Sequence, residues 1–206
     1  HYDPPFEIHV HGEVSLHPEV TTDDVAEALR PLWQYAGARS LAEGAASAYD
    51  EEPGIQYDQR QNLLRMCWTV RGDEAFRRSI DDMCMNLNEL ASTGAPIEVT
   101  FYDTEYDDED SESRGEEARD DFMIVFVGPT PAAIMQIQRD LLVQDVIAVM
   151  ERHFDSNELR GVVEEVDKLF TQRFDALVES LELGKPPSGS GPAGHRGPGR
   201  NKRHLH

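Results

Sequence analysis

Cysteine, basic residues, unbroken apolar stretches and recognisable catalytic motifs are all scarce in this chain. Two cysteines occur, Cys67 and Cys84, and no CxxC pair. That is too few for a disulfide scaffold. Each lies in an apolar-periodic segment, beside Met66 and Trp68 or beside Met83 and Met85, so both read as reduced thiols in a core. No run of about 18 apolar residues exists, which predicts no membrane-spanning helix. No secretory signal is visible either, and the expected compartment is the cytoplasm. GxSxG, P-loop, GxGxxG and HExxH motifs are missing, so neither a nucleophile elbow nor a nucleotide cradle is expected. The sequence implies no cofactor, and an enzyme is the less favoured reading.

Basic residues number 19 against 40 acidic ones, a net charge of -21. A surface this negative repels nucleic acid and anionic membrane, and suits solubility, a basic protein partner or cations. The charge is unevenly spread. Residues 184–206 hold Lys185, Arg196, Arg200, Lys202 and Arg203 and no acid. Taking those five from the 19 leaves 14 basic against 40 acidic residues, a net of -26 for the body. The tail is otherwise dominated by Gly and Pro, a composition that predicts disorder. At the other extreme, Asp103–Asp121 holds eleven acidic residues against Arg114 and Arg119. It reads as a mobile acidic loop.

The rest of the chain carries clear periodicities. Phe6, Ile8 and Val10 alternate with Glu7, His9 and His11, a half-buried strand that Gly12 is expected to bulge. Thr21 or Thr22 caps a helix with the stripe Val25, Ala28, Leu29, Leu32 and Trp33, which Pro31 should kink or stop. An irregular strand is expected near Ala45–Tyr49 and a short one at Ile55–Tyr57. Leu64, Met66, Trp68 and Val70 mark the next strand. Phe76, Ile80, Met83, Cys84, Leu87 and Leu90 mark a helix that Gly94 should end. Ile97, Val99 and Phe101 alternate in another strand. Phe122–Val127 is apolar on both faces, as a covered strand would be. Thr130-Pro131 opens a long helix to about His153, and Asp155 with Glu158 forms a capping box for a second helix ending before Gly184.

The order β-α-β-β-α-β, then β-α-α, predicts an α+β fold. Its first six elements match a ferredoxin-like βαββαβ core, extended by an extra C-terminal strand and a long αα-hairpin. Residues 1–183 are expected to form a single acidic domain, with 103–121 as its loop and 129–183 as its hairpin, followed by the tail at 184–206. In element order and charge the chain resembles small acidic bacterial regulators with a ferredoxin-like core, such as the protein inhibitors of ribonuclease E. No motif carries that likeness, and no residue role follows from it.

Function could sit in four places. Glu7, His9 and His11 share one strand face, and alternating histidines are a real metal geometry. Exposed histidines on an outer sheet face explain the pattern equally well. Asp107, Asp108, Glu109 and Asp110 form a carboxylate run, but it lacks the ligand spacing and central glycine of a calcium loop. It is a candidate partner-binding segment instead, as are Arg196, Arg200, Lys202 and Arg203 of the tail, where RNA is a second possible partner. The long apolar stripe of the last helix needs cover, and residues 131–183 are a candidate homodimer surface. The leading expectation is a non-enzymatic intracellular protein-interaction or regulatory protein. The alternatives are an acidic nucleic-acid mimic that inhibits a basic nuclease or nucleic-acid-binding protein, and a metal-dependent enzyme using His9 and His11.

Overall fold

A computed structural model describes residues 4–104, 120–181 and 204–205. The fold is mixed α+β, and its elements fall into two units that meet at Pro129–Thr130. That boundary lies at the start of the expected hairpin.

The first unit is an antiparallel sheet with helices on one face. Its strands are β1 (Phe6–Ser15), β2 (Gly54–Asp58), β3 (Leu63–Gly72), β4 (Ala95–Asp103) and β5 (Asp120–Val127). They are arranged β2-β3-β1-β4-β5, and the two-residue strand β6 (His204–Leu205) pairs with Ile124 and Val125 at the β5 edge. Strand alternation decides the sheet's two faces. Ile8, Val10 and Val14 of β1 point to one side with Leu64, Met66 and Trp68 of β3 and Ile97, Val99 and Phe101 of β4, all buried. Three helices cover that side: α1 (Thr22–Ala28), α2 (Arg30–Tyr35) and α4 (Phe76–Asn88). They contribute Val25, Leu32, Phe76, Ile80, Met83 and Leu87, with Leu29 between α1 and α2, all fully buried. Each such large side chain stabilises the fold by roughly 1.5–3 kcal/mol relative to leaving it in water.

Local chemistry explains most element boundaries. Thr21 caps α1: its hydroxyl accepts from the Asp24 N–H, and the Asp24 carboxylate accepts from the Thr21 N–H. Hydrogen bonding from the Thr21 backbone N–H, and then from its side chain, lowers the Asp24 carboxyl below its ordinary pKa. Pro31 acts as expected. It falls at the start of α2, and the chain breaks between Ala28 and Arg30 rather than continuing one helix.

Three expectations are corrected. Gly12 makes no bulge. Its pairing with Met66 on one side and Ile97 on the other continues the ladders unbroken. It is small because a Cβ there would sit 3.1 Å from the Pro96 carbonyl oxygen. Ala45–Tyr49 is not a strand. A short helix α3 (Leu41–Gly44) precedes it, and the small residues that follow form a loop held by isolated bonds: Ala48 N–H to the Thr69 carbonyl, and Ile55 N–H to the Ala45 carbonyl. Finally, α4 ends at Asn88, well before Gly94. Leu90–Ser92 is drawn into extended pairing with the end of β1, through Ala91 beside Leu16 and bonds from His17 N–H to Leu90 O and Ser92 N–H to Ser15 O. The competing partner wins because it satisfies backbone groups that another helical turn would leave beside the sheet.

The second unit is an antiparallel pair of helices, α5 (Pro131–Glu151) and α6 (Ser156–Leu181). The Thr130 hydroxyl accepts from the Ala133 N–H to cap α5. The expected capping box of α6 forms, with Glu158 N–H to Asp155 Oδ1 at 3.0 Å and Asp155 N–H to Glu158 Oε2 at 3.3 Å. Arg139 ties the helices together, donating to Asp167 Oδ1 at 2.8 Å and to the Thr171 hydroxyl. No helix among the described residues is long and apolar enough to cross a membrane.

Candidate functional site

The face of the sheet opposite the helices carries the polar half of β1, β3 and β4, while β5 presents Phe122, Ile124 and Phe126 there. On β1 this half is Glu7, His9, His11 and Glu13. The β1–β3 register then places Thr69 opposite His9, Cys67 opposite His11 and Arg65 opposite Glu13. Arg65 reaches Glu13 at 3.5 Å, an exposed pair of small energetic weight.

The loop from Ala45 to Pro53 folds over the edge of this face, and Gly54 makes the turn possible. Gly54 has φ +80°, and a Cβ there would meet the Ala45 carbonyl oxygen at 2.1 Å. Only glycine fits both the backbone conformation and the space. The turn delivers Glu52 onto the sheet. Glu52 Oε1 accepts from the Ser47 hydroxyl at 2.5 Å and from the Thr69 hydroxyl at 2.8 Å. Ser47 Oγ in turn accepts from the Thr69 N–H at 2.8 Å, so the loop is locked to β3 by both its side chain and its backbone.

With Oε1 occupied, Glu52 Oε2 faces His9, 3.1 Å from its Nδ1. His9 Nδ1 also lies 2.9 Å from Thr69 Oγ1. Since the Thr69 hydroxyl proton goes to Glu52, the His9 ring must donate from Nδ1. Cys67 completes the group: ligand atoms of His9, Glu52 and Cys67 all lie within 4.8 Å of one another, and all three residues are half-buried. Burial and the neighbouring Glu52 carboxylate push the Cys67 thiol above its ordinary pKa. A thiol so placed is a poor nucleophile, because the thiolate is the reactive form.

The residues singled out from sequence separate here. His9 belongs to the cluster. His11 stacks beside it with ring centroids 6.2 Å apart, but is not among the grouped donors. Glu7 accepts from the Tyr49 hydroxyl at 2.6 Å and is likewise outside the group. Glu52 and Cys67, which complete it, carried no metal signal in the sequence. Glu52 sat in an acidic turn, and Cys67 read as a core thiol, although its side chain faces away from the core. Strand alternation was the one available signal, since Cys67 falls between the core residues Met66 and Trp68. Asp107, Asp108, Glu109 and Asp110, and Arg196, Arg200, Lys202 and Arg203, lie outside the described residues.

A second feature is the apolar surface of the helical unit. Ile134, Val143 and Leu159 are the buried hydrophobic residues of α5 and α6 among the described residues. Leu142, Val149, Phe154, Leu169, Leu177 and Leu181 are each at least 50% exposed, except Leu177 at 43%. The α6 stripe of Val163, Val166, Phe170, Phe174 and Val178 is only half-covered.

No curated protein and no solved structure matches the chain. A family of unknown function, DUF6806, matches it over residues 6–171, a span that runs from the first residue of β1 into α6 and includes His9, Glu52 and Cys67. The chain belongs to the DUF6806 family.

Proposed function

We propose that this chain is a non-enzymatic protein-interaction or regulatory protein whose contact surface is the α5–α6 hairpin, and whose first occupant is a second copy of itself. The exposed apolar residues of the hairpin carry the reading. Scattered exposed leucines are ordinary on a protein surface, but here they recur along two adjoining helices. Apolar residues surround most of α5, from Ile134, Met135 and Ile137 to Leu141, Leu142, Val143, Val146 and Ile147. A helix apolar on most of its circumference needs neighbours on more than one side, and α6 supplies one. Two such hairpins related by a two-fold axis make a four-helix bundle, a closed arrangement that covers both.

The sheet's connectivity supports reading the core as ferredoxin-like: β1 lies between β3 and β4, β2 lies outside β3, and all pairs are antiparallel. Such a core is a scaffold and specifies no activity of its own.

Light scattering at micromolar concentration tests the proposal. The expected mass is twice the 23.2 kDa of one chain. Leu169→Glu with Leu177→Glu should return it to a single chain while circular dichroism still reports the helices. A wild-type monomer would overturn the self-association, and a dimer unaffected by the double variant would move the interface off the hairpin.

A further inference from the structure

We propose that His9, Glu52 and Cys67 form a binding site for a borderline-soft divalent cation of the zinc class, on the sheet face opposite α1, α2 and α4. The assignment is independent of the hairpin interface. Three observations carry it: the donor set, the spacing and the support around the ligands.

The donors are one imidazole nitrogen, one carboxylate oxygen and one cysteine sulfur. Calcium and magnesium take oxygen ligands, so this mixed set points away from them and towards zinc. The spacing is already close to what zinc requires. Bonds of roughly 2.0–2.3 Å at tetrahedral angles separate ligand atoms by about 3.3–3.8 Å. His9 Nδ1 and Glu52 Oε2 stand 3.1 Å apart. Cys67 Sγ lies within 4.8 Å of a ring nitrogen of His9 and of a carboxylate oxygen of Glu52. Three protein ligands leave one position of the tetrahedron for water.

The support is what distinguishes this group from a chance cluster on an acidic surface. Glu52 Oε1 is held by two hydroxyls, Ser47 and Thr69, which orients the other oxygen towards His9. Thr69 is itself buried, and its backbone N–H holds Ser47 in place. Outer partners of this kind fix ligand orientation and raise affinity in known metal sites. The charge balance also closes. A neutral imidazole, a carboxylate and a thiolate offer two negative charges to a dication. Binding moves the His9 proton from Nδ1 to Nε2 and releases the Cys67 thiol proton to solvent.

Cobalt titration of the full-length, chelator-stripped protein tests the site. Co²⁺ should bind with one-to-one stoichiometry and produce a near-ultraviolet thiolate-to-cobalt charge-transfer band, which zinc then bleaches. Cys67→Ser should abolish the band. His9→Gln and Glu52→Gln should each weaken binding by at least about 10- to 100-fold, the loss that follows when only an outer partner of a ligand is removed. His11→Ala should leave both band and affinity unchanged. Bound metal should also protect Cys67 from alkylation, a readout that does not depend on any variant folding. Absence of the band and of protection in the wild-type protein would overturn the proposal. So would a band that survives Cys67→Ser in a folded protein, or one lost in His11→Ala, since either would place the cation elsewhere.

Discussion

The sheet unit and the helical unit are built from similar apolar content, yet they bury it to very different extents. In the first, alternating strands give a whole face to α1, α2 and α4, and residues as large as Trp68, Phe76 and Phe101 lose nearly all contact with water. In the second, two helices share one seam, and Leu169, Leu177 and Leu181 remain substantially exposed. The difference is geometric. A sheet covered by three helices encloses an interior; two helices alone have only the line along which they touch. A unit of the second kind gains its remaining stability from whatever covers it.

The contrast can be broken by deletion of matched side chains. Phe76→Ala should cost about 3–5 kcal/mol in urea unfolding, as a fully buried aromatic does. Leu177→Ala, at an exposed position, should change the stability of the single chain by less than about 0.5 kcal/mol. A large effect of Leu177→Ala that grows with protein concentration would locate its missing cover in a partner chain. Hydrogen exchange sharpens the same point: amides of β1, β3 and β4 should exchange only on global opening, and those of α6 sooner.

Gly54→Ala comes next, with an expected loss of about 1–3 kcal/mol from a positive-φ backbone and a clash with the Ala45 carbonyl. It should also loosen the loop that carries Glu52, so metal affinity should fall together with stability. Caps compare the two units on a shared bond, because each threonine hydroxyl accepts from the N–H three residues on. Thr21→Ala and Thr130→Ala should each cost about 1 kcal/mol. A markedly smaller effect at Thr130 would show that α5 frays independently of its cap.

A further effect appears only in alkali. Burial, with the Asp73 carboxylate beside it, raises Tyr35 to about 12. The phenol donates to Asp73 Oδ1 at 2.7 Å and accepts from the Asp73 N–H at 2.8 Å, joining the end of α2 to the turn before α4. An ordinary tyrosine ionises near 10. The neutral phenol is therefore favoured by folding. Its contribution is intact below pH about 10 and is lost as pH rises towards 12. Ultraviolet titration should show one phenolate appearing late, and Tyr35→Phe should remove that phase.

Much of the fold was legible in the sequence because it depends on local periodicity. The alternation in β1, β3 and β4, the stripe from Phe76 to Leu87, the cap at Thr21 and the box at Asp155 and Glu158 each have a signature within a few residues. The misread segments share a different property. Gly12 looked like a bulge, but its small size answers to Pro96 on another strand. Leu90–Ser92 looked helical, but was claimed by the end of β1. Ala45–Tyr49 looked extended, but serves as a loop held against β3. In each, a residue distant in sequence decided the outcome.

The candidate site divides along the same line. Sequence alone placed His9 at an out-facing position of a strongly alternating strand, whereas Cys67 read as a core thiol and the structure turned it to the other face. Periodicity determined the helical hairpin and its surplus of apolar residues in the same way as it placed His9. Only the tertiary structure brought Glu52 to His9 and set Glu7 apart with Tyr49, because strand register and a glycine-dependent turn join residues more than forty positions apart. Periodicity says which way a side chain faces; the pairing of distant strands decides what it meets.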